Sequence, residues 1–220
     1  MVLYGMVWYG MVSKSTESEK TATNSYSWLL FIVFSSVFVS HTNKFFARCA
    51  PASLPGINSL FLAQRDHELG RRNRKIILLD RDTRKAVECT ANLPGDAAAA
   101  REHIEHREVD LEKTENPSPL PKEAFGAVLV FNYLHRPLFP NLRDAVKPGG
   151  LILYKTFTWE HPSVGVRPCN PSFLLLPSEL KQLFEGWEVL DFFEGVEEKP
   201  QSDGGIKRRA VSSIVCRKKL

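Results

Sequence analysis

The chain alternates between short apolar runs and polar connections, and the pattern is sharpest between Ala124 and Thr158. Ala127 to Phe131 is an unbroken apolar run, the mark of a strand covered on both faces of a parallel sheet. Leu138 to Val146 carries apolar residues at helical spacing. Lys147-Pro148-Gly149-Gly150 ends that helix with a base, a proline that cannot continue it, and glycines that accept a left-handed turn. Leu151 to Tyr154 follows as a second buried strand. Strand, helix and strand make one βαβ unit. The spacing therefore predicts an α/β sheet with its ligand at the carboxyl ends of the strands.

Other elements fall on either side. Lys75 to Asp80 is an apolar strand ending in an acid, with Arg81-Asp82 next. Asp96 to His103 is an alanine-rich helix, and His106 to Leu111 a short third strand with Asp110 near its end. Pro177 to Phe184 is a helix for which Ser178 is the expected cap. Trp187 to Phe193 alternates like a strand, and Ala210 to Cys216 can pair with it as an antiparallel hairpin. The polar stretches Asp66 to Arg74 and Glu112 to Lys122 are loops.

The first fifty residues differ in kind. LYGMV and WYGMV form a near-repeat between Met1 and Met11, and Ser13 to Ser25 is polar. Trp28 to Val39 is then strongly apolar over about a dozen residues, short of the ~20 that a spanning helix needs. It can be a helix or strand of the core, or peptide foreign to the domain. The alternatives are membrane association through 28–39 and the hydrophobic part of a signal peptide. The division expected is an atypical N-terminal extension over 1–50 and one domain over 51–220, in a cytoplasmic protein, with a membrane-associated one as the alternative.

Composition narrows the class. Hydrophobic residues at 43% and charged ones at 25% suit a soluble globular domain. The net charge of +4 is too mild, and too scattered, to indicate nucleic acid. Lys207-Arg208-Arg209 and Arg217-Lys218-Lys219 are expected as solvated ends of the terminal hairpin. Cys49, Cys89, Cys169 and Cys216 are far apart, so neither a zinc site nor a disulfide framework is expected and the metal set is empty.

Phe125 to His135, followed by Val146 to Leu153 with its KPGG, resembles the fourth and fifth strands of class I S-adenosylmethionine (SAM)-dependent methyltransferases. The fuller wording, FNYLHRPLFPNLRDAVKPGGLILYKTFT with RPCNPSFLLLPSELKQLFEGWEVLDFFEG, is similar to their tellurite-resistance (TehB-like) branch. The resemblance runs from about Gly56 to the C-terminus. It implies a Rossmann-like sheet, mostly parallel with a C-terminal antiparallel hairpin. It also implies SAM as cofactor and methyl transfer to a small molecule or oxyanion.

Carried over residue by residue, the resemblance gives Asp80 to the ribose, with Asp82 as the alternative and a plain helix cap as the bland reading. Asp110 and Leu111 stand beside the adenine, Asn132 joins the cofactor set, and Gly56 is the last glycine of the glycine-rich turn. His135, Arg136 and Arg167 are the catalytic candidates: all three can hold an oxyanion acceptor, and His135 can be a general base. Thr156, Thr158 and Asn170 share that rim. The (N/D)PPY signature of amino-methylating members is absent after strand four.

The sequence departs from the family upstream. Aligned on Gly56, the chain has Ala50, Ala52 and Leu54 where an acid and two glycines are expected. The segment before it, Asn43 to Cys49, carries Lys44 and Arg48 and makes a poor first strand. Two explanations compete: a decayed or repurposed site, or an N-terminus that has replaced the true first strand. The alternative function is accordingly a catalytically inactive or truncated protein of this fold with a binding role.

Overall fold

The structure is a computed structural model that describes residues 27–33, 74–84, 87–88, 104–113, 120–165, 167–201 and 204–220. Seven strands form one sheet: β1 (Ser27–Val33), β2 (Arg74–Asp80), β3 (Ile104–Glu108), β4 (Phe125–Phe131), β5 (Val146–Phe157), β6 (Glu188–Pro200) and β7 (Ile206–Arg217). Their order across the sheet is β3-β2-β1-β4-β5-β7-β6. The first five run parallel, and β7 pairs antiparallel with both β5 and β6. This matches the expected Rossmann-like sheet with its terminal hairpin.

The first strand is the apolar run that starts at Ser27, paired with β2 on one side and β4 on the other; Asn43 to Cys49, a poor first strand by sequence, lies outside the described residues. Of the readings open for Trp28 to Val39, the structure takes the strand of the core, at least through Val33. A segment with Lys44 and Arg48 would put charges at the centre of a sheet, whereas SWLLFIV supplies apolar side chains at every position after the serine. The sheet thus draws its central strand from the stretch assigned to an extension.

β4 and β5 are adjacent, in the register Ala127↔Leu151 to Phe131↔Lys155. Between them a 3-10 turn (Arg136–Leu138) leads into α1 (Phe139–Ala145). The KPGG turn is tight. Gly149 has a φ of 74°, and a Cβ on Gly150 would lie 2.8 Å from the Val146 side chain and 2.9 Å from the Gly126 carbonyl. Lys218 closes the end of α1 by donating its Nζ hydrogens to the carbonyls of Arg143 and Val146, at 3.0 and 2.8 Å. This is the usual service of a cation at a helix C-terminus.

β5 is followed by a short helix α2 (His161–Val164), a 3-10 turn (Pro171–Phe173) and α3 (Glu179–Leu183). Ser178 does not cap α3 as expected. Its φ is 57° and its side chain makes no cap bond. Glu179 instead fixes the chain ahead of the helix, its Oε2 accepting the Leu176 N–H at 2.7 Å. The third strand starts slightly earlier than expected, and Asp96 to His103 lies outside the described residues, as do Met1 to Ser25, Gly56, Cys49 and Cys89.

The larger core lies between the sheet and α1 and α3. Val128, Val130, Ile152, Tyr154 and Ile214 from the strands meet Phe139, Leu142, Leu180 and Phe184 from the helices. The Tyr154 hydroxyl, fully buried, donates to the Tyr133 carbonyl at 2.7 Å. The opposite face carries Ile76, Leu129, Leu153 and Val215. The β6–β7 hairpin continues past the end of β5, to Pro200↔Ile206, so its basic residues meet different fates. Arg208 pairs with Glu198 at the surface. Arg209, expected in solvent, is buried, and that burial lowers its pKa. Cys216 is a buried thiol outside any disulfide, pushed up to about 12 by burial, and Cys169 is exposed.

Phe184 is 1% exposed and packs against Phe139, Tyr154 and Trp187 with ring centroids 5.6, 6.3 and 5.6 Å away. Replacing it with alanine should lower stability by about 3–5 kcal/mol, read by chemical denaturation. A loss below about 1 kcal/mol would show that this joint between α3 and the sheet is not central to the fold.

Candidate functional site

The sheet has one topological switch point. From β1 the chain moves outward through β2 to β3, then returns to place β4 on the other side of β1. In open α/β sheets ligands bind in the crevice outside the carboxyl ends at such a point. The side chains found there come from the ends of β2, β3, β4 and β5.

Asp80 closes β2 and is 3% exposed. Its Oδ1 accepts the N–H of Asp82 at 3.0 Å, and its carbonyl accepts the Val109 N–H at 2.9 Å. Asp82 lies nearer the surface, where its carboxylate grips the Arg84 guanidinium at 2.9 and 2.8 Å. Of the two acids, Asp80 is the buried one. Past β3, Asp110 Oδ1 accepts the Glu112 N–H at 3.1 Å, which fixes a turn. The Leu111 side chain packs into the main core rather than projecting into the crevice.

Asn132 ends β4 in a left-handed conformation with a φ of 53°, its N–H bonded to the Lys155 carbonyl at 2.9 Å. An asparagine tolerates that region better than most residues. Gly56 lies outside the described residues. β1 is described as far as Val33, and in the sequence it is followed by Phe34-Ser35-Ser36-Val37, outside the described residues.

The three catalytic candidates do not converge as equals. Arg136 is engaged as a clamp. Its Nε donates to Glu179 Oε1 at 2.6 Å, its Nη2 to Glu179 Oε2 at 2.9 Å and to the Leu174 carbonyl at 3.0 Å, and its Nη1 to the Ser172 carbonyl at 3.3 Å. Burial alone would raise the Glu179 pKa, but the bonds from Arg136 and the Leu176 N–H hold it below its ordinary value. Almost every donor of this guanidinium thus ties the β4–α1 connection to the segment before α3. Arg167 is exposed, and its carbonyl accepts from His161 Nε2 at 2.8 Å. His135 is half-buried at the start of the 3-10 turn, its ring 6.5 Å from that of Tyr133.

A histidine that the sequence did not single out organises the loop after β5. His161 is 2% exposed and its ring lies 4.4 Å from that of Phe157. Its Nδ1 accepts the Ala210 N–H at 3.3 Å, so Nε2 carries the proton donated to Arg167. Gly165 lies against the ring so closely that a Cβ there would be 2.5 Å from Cε1. Only this contact geometry marks the residue; the sequence HPSVG carries no such signal. Beside it, Thr158 and Leu175 form a parallel bridge, Leu175 N–H to the Phe157 carbonyl and Trp159 N–H to the Leu175 carbonyl, both at 2.9 Å. Among the described residues no group of histidine, cysteine or acidic side chains could hold a metal ion.

No protein-family model matches this sequence, and no characterised protein sequence matches it. Solved structures do. TehB from Haemophilus influenzae aligns with a TM-score of 0.53 and 15% identity over 80% of this chain; the chain spans 66% of TehB. A sarcosine dimethylglycine methyltransferase from Galdieria sulphuraria aligns with a TM-score of 0.56 and 10% identity, over 99% of this chain and 86% of the other. The [4+2]-cyclase SpnF aligns at 0.53 and 13%, over 94% and 80%. Likeness at this identity shows the fold alone: the chain has the class I methyltransferase fold, and SpnF shows that the fold hosts more than one reaction.

The state of His161 gives a pH dependence. Burial lowers its pKa, as do the charges of Arg209 and Lys207, while the bond to the Arg167 carbonyl acts the other way. The folded protein therefore holds this ring neutral where the unfolded chain, titrating near ~6.5, takes up a proton. The stabilisation is complete above that value and is lost as pH falls below it. His106, also lowered by burial, acts in the same window. The measurement is thus the difference between the protein and His161→Phe: the variant should be less stable at pH 7.5, with the gap narrowing toward pH 5 in thermal melts. A gap that does not change with pH would show that this ring does not titrate with folding.

Proposed function

We propose that the chain is a SAM-dependent methyltransferase acting on a small molecule, with the cofactor laid across the carboxyl ends of β2, β1 and β4. The observation that carries this reading is the buried carboxylate of Asp80 at the carboxyl end of β2, next to the switch point. An acid at the carboxyl end of this strand is where a nucleotide-binding α/β sheet meets ribose hydroxyls, which donate to a carboxylate. The described residues fit such a ligand. Asp80 would bind the ribose, the Asp110 and Leu111 backbone would flank the adenine, and Asn132 would close the site at β4. Gly56 enters this set by resemblance alone.

When bound, SAM supplies an electrophilic methyl on a sulfonium sulfur. The protein's part is to align an acceptor with it and to keep water away. His135, at the rim of β4, is positioned to orient that acceptor or to take its proton. Arg136 is better assigned to holding the rim together through Glu179 than to an oxyanion, which weighs against a tellurite-type acceptor. A small-molecule partner and a cytoplasmic setting go with this reading. In support, no helix among the described residues is long and apolar enough to cross a membrane. The pairing of Ser27–Val33 within the sheet leaves little of 28–39 for an anchor.

One observation favours a second reading. The sequence that follows β1, Phe34-Ser35-Ser36-Val37, contains no glycine, whereas the resemblance implies a glycine-rich turn after the first strand. A binding protein that has lost catalysis would tolerate that. Titration calorimetry with SAM separates the two. Binding is expected, and Asp80→Ala should weaken it by about ten-fold or more, since a charge-assisted bond to a buried group is worth ~1.5–3 kcal/mol. No heat with SAM would favour the non-catalytic reading; binding that is unchanged in Asp80→Ala would remove the ribose role from this acid.

A further inference from the structure

Tyr154 carries a hydroxyl that its packing does not need. It sits on β5 opposite Val130 of β4 and Ile214 of β7, with no exposed surface. Its ring stacks on Phe139 at 5.0 Å and meets Phe184 at 6.3 Å, so a phenylalanine would fill the same space. A hydroxyl buried among apolar side chains is costly unless it is hydrogen-bonded. This one donates to the carbonyl of Tyr133 at 2.7 Å. Burial first, and then Tyr133, raise its pKa well above the ordinary value against the charge of Arg136, so the hydroxyl keeps its proton and stays a donor.

What that bond holds is the turn that leaves β4. Asn132 follows the last residue of the strand with a φ of 53°, a conformation that most side chains avoid and that persists where the surroundings impose it. Bonds to β5 impose it here. The Asn132 N–H donates to the Lys155 carbonyl at 2.9 Å, and the Tyr133 carbonyl accepts from Tyr154. The first bond fixes the start of the dipeptide and the second fixes its end, and both anchors are neighbours on β5. The φ and ψ of Asn132 and of Tyr133 all lie between these anchors. His135 comes two residues later, just before the 3-10 turn, with its ring 6.5 Å from that of Tyr133. The bond from Tyr154 therefore sets the start of the segment that carries both rim residues, Asn132 and His135.

We propose that Tyr154 is a positioning residue for the candidate site: through its hydroxyl it holds Asn132 and His135 where the cofactor and the acceptor meet them. This rests on the methyltransferase reading, in which Asn132 closes the cofactor site and His135 faces the acceptor. Tyr154 itself touches neither ligand, since no part of it is exposed. Without the hydroxyl the buried Tyr133 carbonyl loses this donor, and the dipeptide loses the anchor at its end. Asn132 then samples other conformations, and the rim presents a mixture of them to a ligand. Binding weakens through lost pre-organisation rather than through a lost contact.

The test compares Tyr154→Phe, which removes only the hydroxyl, with Ile214→Val, which removes a methyl group from the cross-strand neighbour of Tyr154 and keeps the bond. The two should cost comparable stability in chemical denaturation. Amide hydrogen exchange, followed by NMR on the full chain, reads the hold directly. The Asn132 N–H should exchange about ten-fold faster in Tyr154→Phe than in Ile214→Val. Titration calorimetry reads the consequence. SAM should bind about ten-fold more weakly to Tyr154→Phe, while Ile214→Val stays within about two-fold of the unmodified protein. A tyrosine with a merely structural role would lower stability and produce neither difference. If the unmodified chain does not bind SAM while Asn132 exchange responds as expected, the methyltransferase reading falls and the hold of Tyr154 on the rim stands. The proposal itself is overturned if Asn132 exchanges alike in the two variants, or if both bind SAM equally well.

Discussion

The constraint on which this structure depends is that β4 and β5 are buried on both faces, so every backbone N–H and C=O they carry needs a partner in the plane of the sheet. β4 and β5 satisfy one another along one edge, and β7 takes the free edge of β5. The other edge of β4 needs a parallel strand, and the register Leu29↔Ala127 to Val33↔Phe131 supplies it. An apolar run near the N-terminus is recruited because a central position requires side chains that tolerate cover on both sides.

Once the sheet is set, the crossovers are pinned by charged side chains bonded to backbone. Lys218 reaches from the end of the chain to the last carbonyls of α1. Arg143 donates to the carbonyls of Leu183 and Glu185 at 2.7 and 3.0 Å, closing α3, and its guanidinium carbon lies 5.7 Å from the centre of the Trp187 ring. Arg136 binds Glu179 and two carbonyls ahead of α3. Such bonds compensate the exposed ends of very short helices, which have little stability of their own.

The same bracing shapes the chemistry available at the carboxyl edge. A cation that holds a loop cannot also meet an incoming anion without giving up bonds. The loop after β5 is further fixed by a neutral histidine between two backbone groups and by a two-strand bridge. The rim beyond these braces carries the left-handed Asn132 and the half-buried His135.

Periodicity by itself determined the βαβ unit from Phe125 to Tyr154, the acid-terminated strand at Lys75 to Asp80 and the terminal hairpin. Each is a local pattern whose burial follows from its own residues. Tertiary structure decided the rest. SWLLFIV is equally apolar as an anchor, a signal or a strand, and only its pairing between β2 and β4 distinguishes them. The structural roles of Arg136, Glu179 and His161 are not legible locally because their partners lie far away in sequence: Glu179 is 43 positions from Arg136, and Ala210 is 49 from His161. Contacts of that range are fixed by how the crossovers fold over the sheet, which no short window of sequence contains.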